Sequence, residues 1–134
     1  MKLAKLASII ALALSASVAQ AQDAGILLSL KVERDGQLLA KPRLLTKAGT
    51  QATMQKDQDL KIEVTPTEKD GKVDLAMKVY LPGPDGLKVA ASPRLVTKLD
   101  TPSTIEFQAP GEPRYKISLV ASSHTIGTPL PPAQ

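Results

Sequence analysis

After about residue 25 the chain alternates apolar and polar positions with a period of two. Leu28, Leu30 and Val32 alternate with Ser29, Lys31 and Glu33, and Asp35-Gly36 then turns the chain. Leu60, Ile62 and Val64 alternate with Lys61, Glu63 and Thr65, and Asp70-Gly71 is a second hairpin signal. Val73, Leu75, Met77, Val79 and Leu81 form the longest apolar stripe, with Asp74, Lys78 and Tyr80 on its opposite face. Pro82-Gly83-Pro84-Asp85-Gly86 is expected to break that strand, and Ile117 and Leu119 resume the pattern. No window beyond residue 22 has a helical period. One apolar and one polar face per strand implies antiparallel sheets with a wet side.

An internal duplication underlies this pattern. Pro42-Arg43-Leu44-Leu45-Thr46-Lys47 recurs as Pro93-Arg94-Leu95-Val96-Thr97-Lys98, at a spacing of 51 residues. Thr50, Thr53 and Met54 match Thr101, Thr104 and Ile105 at the same spacing. Upstream, residues 28–32 (LSLKV) align with 75–79 (LAMKV) at a spacing of 47, and downstream 60–62 align with 115–117 at 55. Small length changes in turns explain the different spacings. Each unit, about 26–67 and 73–121, reads as strand, turn, proline-bearing strand, turn, strand, turn, strand.

One such unit is too small to bury its apolar face alone. Two facing each other predict an all-β fold: a small antiparallel β-sandwich or flattened barrel of about seven or eight strands. Proline cannot donate to a ladder, so Pro42 and Pro93 are expected at sheet edges or bulges. The result is two pseudo-symmetric edges, where a partner's strand could add. Residues 122–134, with Gly127, Pro129, Pro131 and Pro132, read as an extended, flexible tail.

The start of the chain sets the expected compartment. Lys2 and Lys5 precede an apolar run at residues 6–14 (LASIIALAL), and Ala19-Gln20-Ala21 offers small residues for a signal peptidase. Residues 1–21 therefore read as a cleavable signal peptide cut after Ala21, which places residues 22–134 outside the cytoplasm. The run is well short of the roughly 20 residues of a membrane span. Loss of Lys2 and Lys5 lowers the formal net charge from +4 to +2, which leaves no nucleic-acid footprint. The chain has no cysteine, which excludes a disulfide framework, a thiolate metal site, a cysteine nucleophile and a lipid anchor.

Candidate chemistry is sparse. His124, the one histidine, follows Ser122-Ser123 and reads as a solvent-exposed tail residue. Asp57-Gln58-Asp59 lacks the rest of a calcium loop and reads as a polar turn. Glu68, Asp70 and Asp74 are dispersed around a hairpin. Three aromatic residues, Tyr80, Phe107 and Tyr115, are too few for a stacking platform. No catalytic residue, metal site or cofactor is expected. Arg43 and Arg94, at equivalent repeat positions, could bind anions or pair with neighbouring acids. Tyr80 could anchor an interface. The candidate partner-binding residues are thus Pro42, Arg43, Tyr80, Pro93 and Arg94.

Residues 60–79 (LKIEVTPTEKDGKVDLAMKV) resemble a segment of the secretin β-domain of outer-membrane secretion channels. That family carries a strand ending in Val-x-Pro, an Asp-Gly hairpin and a second alternating strand. Val64, Pro66, Asp70, Gly71, Val73 and Leu75 fit this pattern. Pro42, Thr46, Gly49 and Ala52 match an upstream proline, threonine, turn and alanine, and Pro93, Thr97 and Thr104 match them again. The resemblance spans roughly residues 39–118. It implies a secretin-like β module standing alone in the periplasm of a Gram-negative cell, since the chain lacks a secretin's further domains and lip hairpin. The expected role is that of a non-enzymatic binding or accessory module engaging a protein partner. Self-assembly within an envelope or secretion complex is the alternative.

Overall fold

Tight turns at aspartate and glycine organise the fold. The structure is a computed structural model that describes residues 24–132, so the expected signal peptide lies outside the described residues. The strands are β1 (Ala24–Arg34), β2 (Gln37–Ala40), β3 (Arg43–Thr46), β4 (Ala52–Lys56), β5 (Leu60–Lys69), β6 (Lys72–Gly83), β7 (Gly86–Ala91), β8 (Arg94–Lys98), β9 (Ser103–Phe107) and β10 (Tyr115–Thr125). Asp35-Gly36 joins β1 to β2 and Asp70-Gly71 joins β5 to β6. Both turns have positive φ at each central residue (50° and 83°, 55° and 77°), the geometry that suits twisted hairpins. Among the described residues no helix is long and apolar enough to cross a membrane.

The strands form two antiparallel sheets that pack as an open sandwich. Sheet A runs β2-β1-β10-β9 with β3 also on β1, and sheet B runs β4-β5-β6-β7 with β8 also on β6. β2 and β3 are two halves of one edge strand, interrupted at Lys41-Pro42. β7 and β8 are likewise interrupted at Ser92-Pro93. Counted this way, each repeat unit contributes four strands, as the sequence pattern implies.

The units do not face each other as separate sheets, however. The two-residue turn at Asp70-Gly71 forces β5, the last strand of the first unit, to pair with β6, the first strand of the second. The pseudo-twofold partner of that pairing is β1 with β10. Each sheet therefore holds half of each unit, and one shared core joins them. Ile26, Leu28, Leu30 and Val32 of β1 and Val73, Leu75, Met77 and Val79 of β6 are all at most 4% exposed. They meet Ile62, Val64, Ile117 and Leu119 from β5 and β10 in one cluster.

The repeat extends to individual hydrogen bonds. The Leu30 N–H donates to the Pro42 carbonyl (2.9 Å), and the Met77 N–H donates to that of Pro93 (3.0 Å). Both prolines thus keep an acceptor in the ladder while their missing N–H falls at an edge kink. A β-bulge precedes each kink, between Val32 and Glu33 and again between Val79 and Tyr80. The buried hydroxyl of Thr46 donates to the Thr50 carbonyl (3.0 Å). That of Thr97 lies 2.6 Å from Ser103 Oγ and 3.5 Å from the Thr101 carbonyl. The Gly49 N–H reaches Pro66 O (2.6 Å), as the Asp100 N–H reaches Ala121 O (2.7 Å). These contacts explain why the proline and the threonine four residues after it recur.

Gly49 and Asp100 share the left-handed region, at φ 85° and 60°. Gly49→Ala should therefore cost about 1–2 kcal/mol, measurable by chemical denaturation.

Of two expectations about strand ends, one holds and the other is corrected. The expected break falls within residues 82–86: Pro84-Asp85 turns the chain into β7 after β6 ends at Gly83, with Pro82 opposite Leu87. Pairing with β5 ends at Tyr80, so this proline lies where β6 has a neighbour on one side only. The tail does not begin at Ser122, because β10 continues to Thr125. Ser122, Ser123, His124 and Thr125 pair with Leu27, Ile26, Gly25 and Ala24. The polar composition of these residues hid a strand that its β1 partner specifies.

Candidate functional site

Each edge kink opens a pocket on the outer face of its sheet, and the two pockets are the same site duplicated. In sheet B a cavity of about 280 Å³ is lined by Gln51, Glu63, Thr65, Ala76, Met77, Lys78, Ser92, Pro93 and Arg94. In sheet A the repeat equivalents of eight of these residues (Pro102, Ser118, Val120, Ser29, Leu30, Lys31, Lys41 and Arg43) line a cavity of about 500 Å³. The volume difference decides which copy has the capacity for a ligand, since small-molecule sites commonly span roughly 300–1,000 Å³.

The extra space comes from the chain beyond β10, which turns back over sheet A. Leu27, Ser122, His124, Pro131 and Pro132 also line the larger cavity. Arg43 Nη1 donates to the Pro131 carbonyl. Ile126 lies against Gly25, where an added Cβ would come within 2.7 Å of Ile126 Cγ1. Leu27 is 4% exposed although its neighbours Ile26 and Leu28, not Leu27, face the core. His124 is consequently half-buried within β10 rather than exposed in a tail. Its Nε2 lies 3.1 Å from Thr128 Oγ1 and 3.3 Å from the Thr128 carbonyl.

Charge distinguishes the copies further. In sheet B the cations are matched by acids. Arg94 grips Asp74 with three contacts of 2.9, 3.2 and 2.6 Å. Glu63 sits opposite Lys78 in the ladder, lies 3.6 Å from Lys61 and accepts a 2.8 Å bond from the Tyr80 hydroxyl. The Arg94 hydrogen bond, with its charge adding to it, holds the Asp74 carboxyl below the usual range. The Glu63 carboxylate raises the Tyr80 phenol, because that bond favours the protonated hydroxyl. In sheet A, Leu27 stands where Asp74 does and Ser118 where Glu63 does. Lys31, Lys41, Arg43 and His124 then share the pocket lining with one acid, Asp100. Glu33 lies 4.0 Å from Lys31 outside that lining.

The candidate residues chosen from sequence therefore separate. Tyr80, Pro93 and Arg94 share the outer side of sheet B, where Lys61 also sits 4.9 Å over the Tyr80 ring. Pro42 and Arg43 lie on the edge of sheet A. Lys31, Lys41, Ser118 and Ser122 were missed, although the repeat spacings held the signal: acids in one unit facing Leu27 and Ser118 in the other. Asp57 occupies a tight turn with φ 49°, and among the described residues no group of three or more His, Cys, Asp or Glu side chains is placed to hold a metal ion.

Asp74 supplies a pH test. Its lowered folded-state pKa adds stability above the unfolded-state value, and this is lost as pH falls through the folded one. Arg94→Gln should move the Asp74 titration, followed by carboxyl NMR, back up to the ordinary range. The exposed site limits the accompanying stability change to a small one.

Comparison with known proteins gives no match to a family model, a curated protein or a solved structure.

Proposed function

We propose that this chain is an exported, non-enzymatic binding module whose protein partner docks along the β8 edge and outer face of sheet B. The supporting observation is uncovered apolar surface there: Val89 is 47% and Val96 58% exposed. Val89 pairs with Tyr80 and Val96 with Asp74, so both share the outer face with the Tyr80 ring and the Arg94–Asp74 pair. The repeat equivalent of Val96 is Leu45, which is half-buried in sheet A. An aromatic residue, an arginine and flanking aliphatics on one open face have the make-up of an interface hot spot.

The kinked edges limit how a partner strand can add. A bulge and a proline interrupt each one, and both features discourage long edge-to-edge pairing. A short extended segment fits along β8, gaining main-chain hydrogen bonds there and a side-chain contact with Val96.

The test uses the chain from Gln22 as bait in periplasmic extract, followed by purification of the captured protein and measurement of its affinity. Val96→Glu is expected to weaken that affinity about tenfold or more by placing a charge in the buried centre of the contact. Leu38→Glu, which alters the exposed apolar residue of β2, should leave it unchanged. Equal effects of the two substitutions would place the partner elsewhere.

A further inference from the structure

We infer that the enlarged kink pocket of sheet A is a binding site for a small organic acid. Its oxyanion lies against Arg43, Lys31 and Lys41, and its apolar body lies against Leu27, Val120 and the tail prolines. The site is on the sheet opposite the proposed protein-docking face and stands independently of that docking.

The comparison between the two copies carries the inference. Duplication placed a lysine and an arginine, Lys31 and Arg43 or Lys78 and Arg94, beside each kink. In sheet B, Asp74 pairs with Arg94, and Glu63 stands opposite Lys78 in the ladder. In sheet A both acids are replaced, one by Ser118 and the other by Leu27, while Lys41 stands where the second copy has Ser92. The lining of the sheet A pocket thus holds Lys31, Lys41 and Arg43 with one acid, Asp100, where that of sheet B holds Lys78 and Arg94 with Glu63, and the cavity is enlarged from about 280 to about 500 Å³; Glu33, 4.0 Å from Lys31, lies outside the lining. A cluster of cations low in acids favours a carboxylate or phosphate oxyanion. Arg43 has donors beyond the one given to Pro131, since a guanidinium carries five N–H groups. Ser29, Ser118 and Ser122 add hydroxyls to the lining.

The apolar side of the pocket defines the rest of the ligand. Leu27, Val120, Pro131 and Pro132 form a wall that a bare inorganic anion would leave unfilled. The ligand is thus an acid with a hydrocarbon or aromatic body.

The probes are octanoate and phenyl phosphate, titrated into the chain from Gln22 by calorimetry with NMR mapping; octanol and inorganic phosphate are the controls. At least one of the two acids should bind at a single saturable site, octanol and inorganic phosphate more weakly, and which acid binds identifies the headgroup. Ser118→Glu, which restores the acid of the sheet B copy without touching the Arg43–Pro131 contact, should weaken binding about tenfold or more. Arg94→Ala in the sheet B pocket should leave it within about twofold of the unsubstituted chain. The inference is overturned if neither acid saturates at millimolar concentration, if octanol binds as well as octanoate, or if Arg94→Ala weakens binding as much as Ser118→Glu. Unchanged far-ultraviolet circular dichroism shows that each variant is folded.

Discussion

Leu28→Ala and Leu75→Ala should each destabilise the protein by about 3 kcal/mol, within the range seen for deleting a buried leucine side chain, and should do so almost equally. The two leucines are repeat equivalents on the central strands β1 and β6, at 1% and 0% exposure. Each faces the other sheet across the same core. A domain of this size has a total stability of about 5–15 kcal/mol, so either loss is a large share of it. The midpoint of thermal unfolding should fall by roughly 10–20 °C in both variants. The equality is the informative part. If the units were separate sheets with separate cores, one could melt before the other. Because each sheet is built from both units, both substitutions weaken one cooperative transition, and circular dichroism and calorimetry should report coincident midpoints.

A stop after Thr125 should destabilise the protein by about 2 kcal/mol, roughly the transfer free energy of one leucine side chain moved from cover to water. The segment removed carries Ile126, which lies against Gly25, and Pro131, which accepts the Arg43 hydrogen bond. Its loss uncovers Leu27, now 4% exposed on the outer face of sheet A. The equivalent position in sheet B is Asp74, which is polar and lies in an uncovered face, so that sheet needs no such strap. Leu27→Asp in the full chain should reproduce most of the loss, because the carboxylate would be placed under the tail. If the truncated chain is as stable as the full one by urea denaturation, the tail does not bury Leu27.

Much of the architecture was legible because it depends on local rules. Period-two stripes such as that of Val73, Leu75, Met77 and Val79 located the central strands, and Asp-Gly pairs located two hairpins. The recurrence of Pro-Arg-Leu around residues 42 and 93 located both edge kinks. What was hidden depends on partners far along the chain. Ser122 and His124 carry no strand signal of their own; they are strand because β1 lies beside them. The exchange of half-units between sheets follows from one two-residue turn, which a repeat alignment alone does not reveal. The sheet A pocket was overlooked because its residues are ordinary singly. Lys31, Ser118 and Leu27 acquire meaning when set against Lys78, Glu63 and Asp74. Leu27, an apolar residue on the otherwise polar face of its strand, was the clearest sign that something covers that face.

The most direct test of the binding-module reading is the molar mass of the chain from Gln22 in solution, by size-exclusion chromatography with light scattering. The mass of a single chain is expected, which leaves Val89, Val96 and Tyr80 open to a different protein. A discrete larger assembly that Val96→Glu dissolves would contradict that reading, because the open face of sheet B would then belong to further copies of the chain itself.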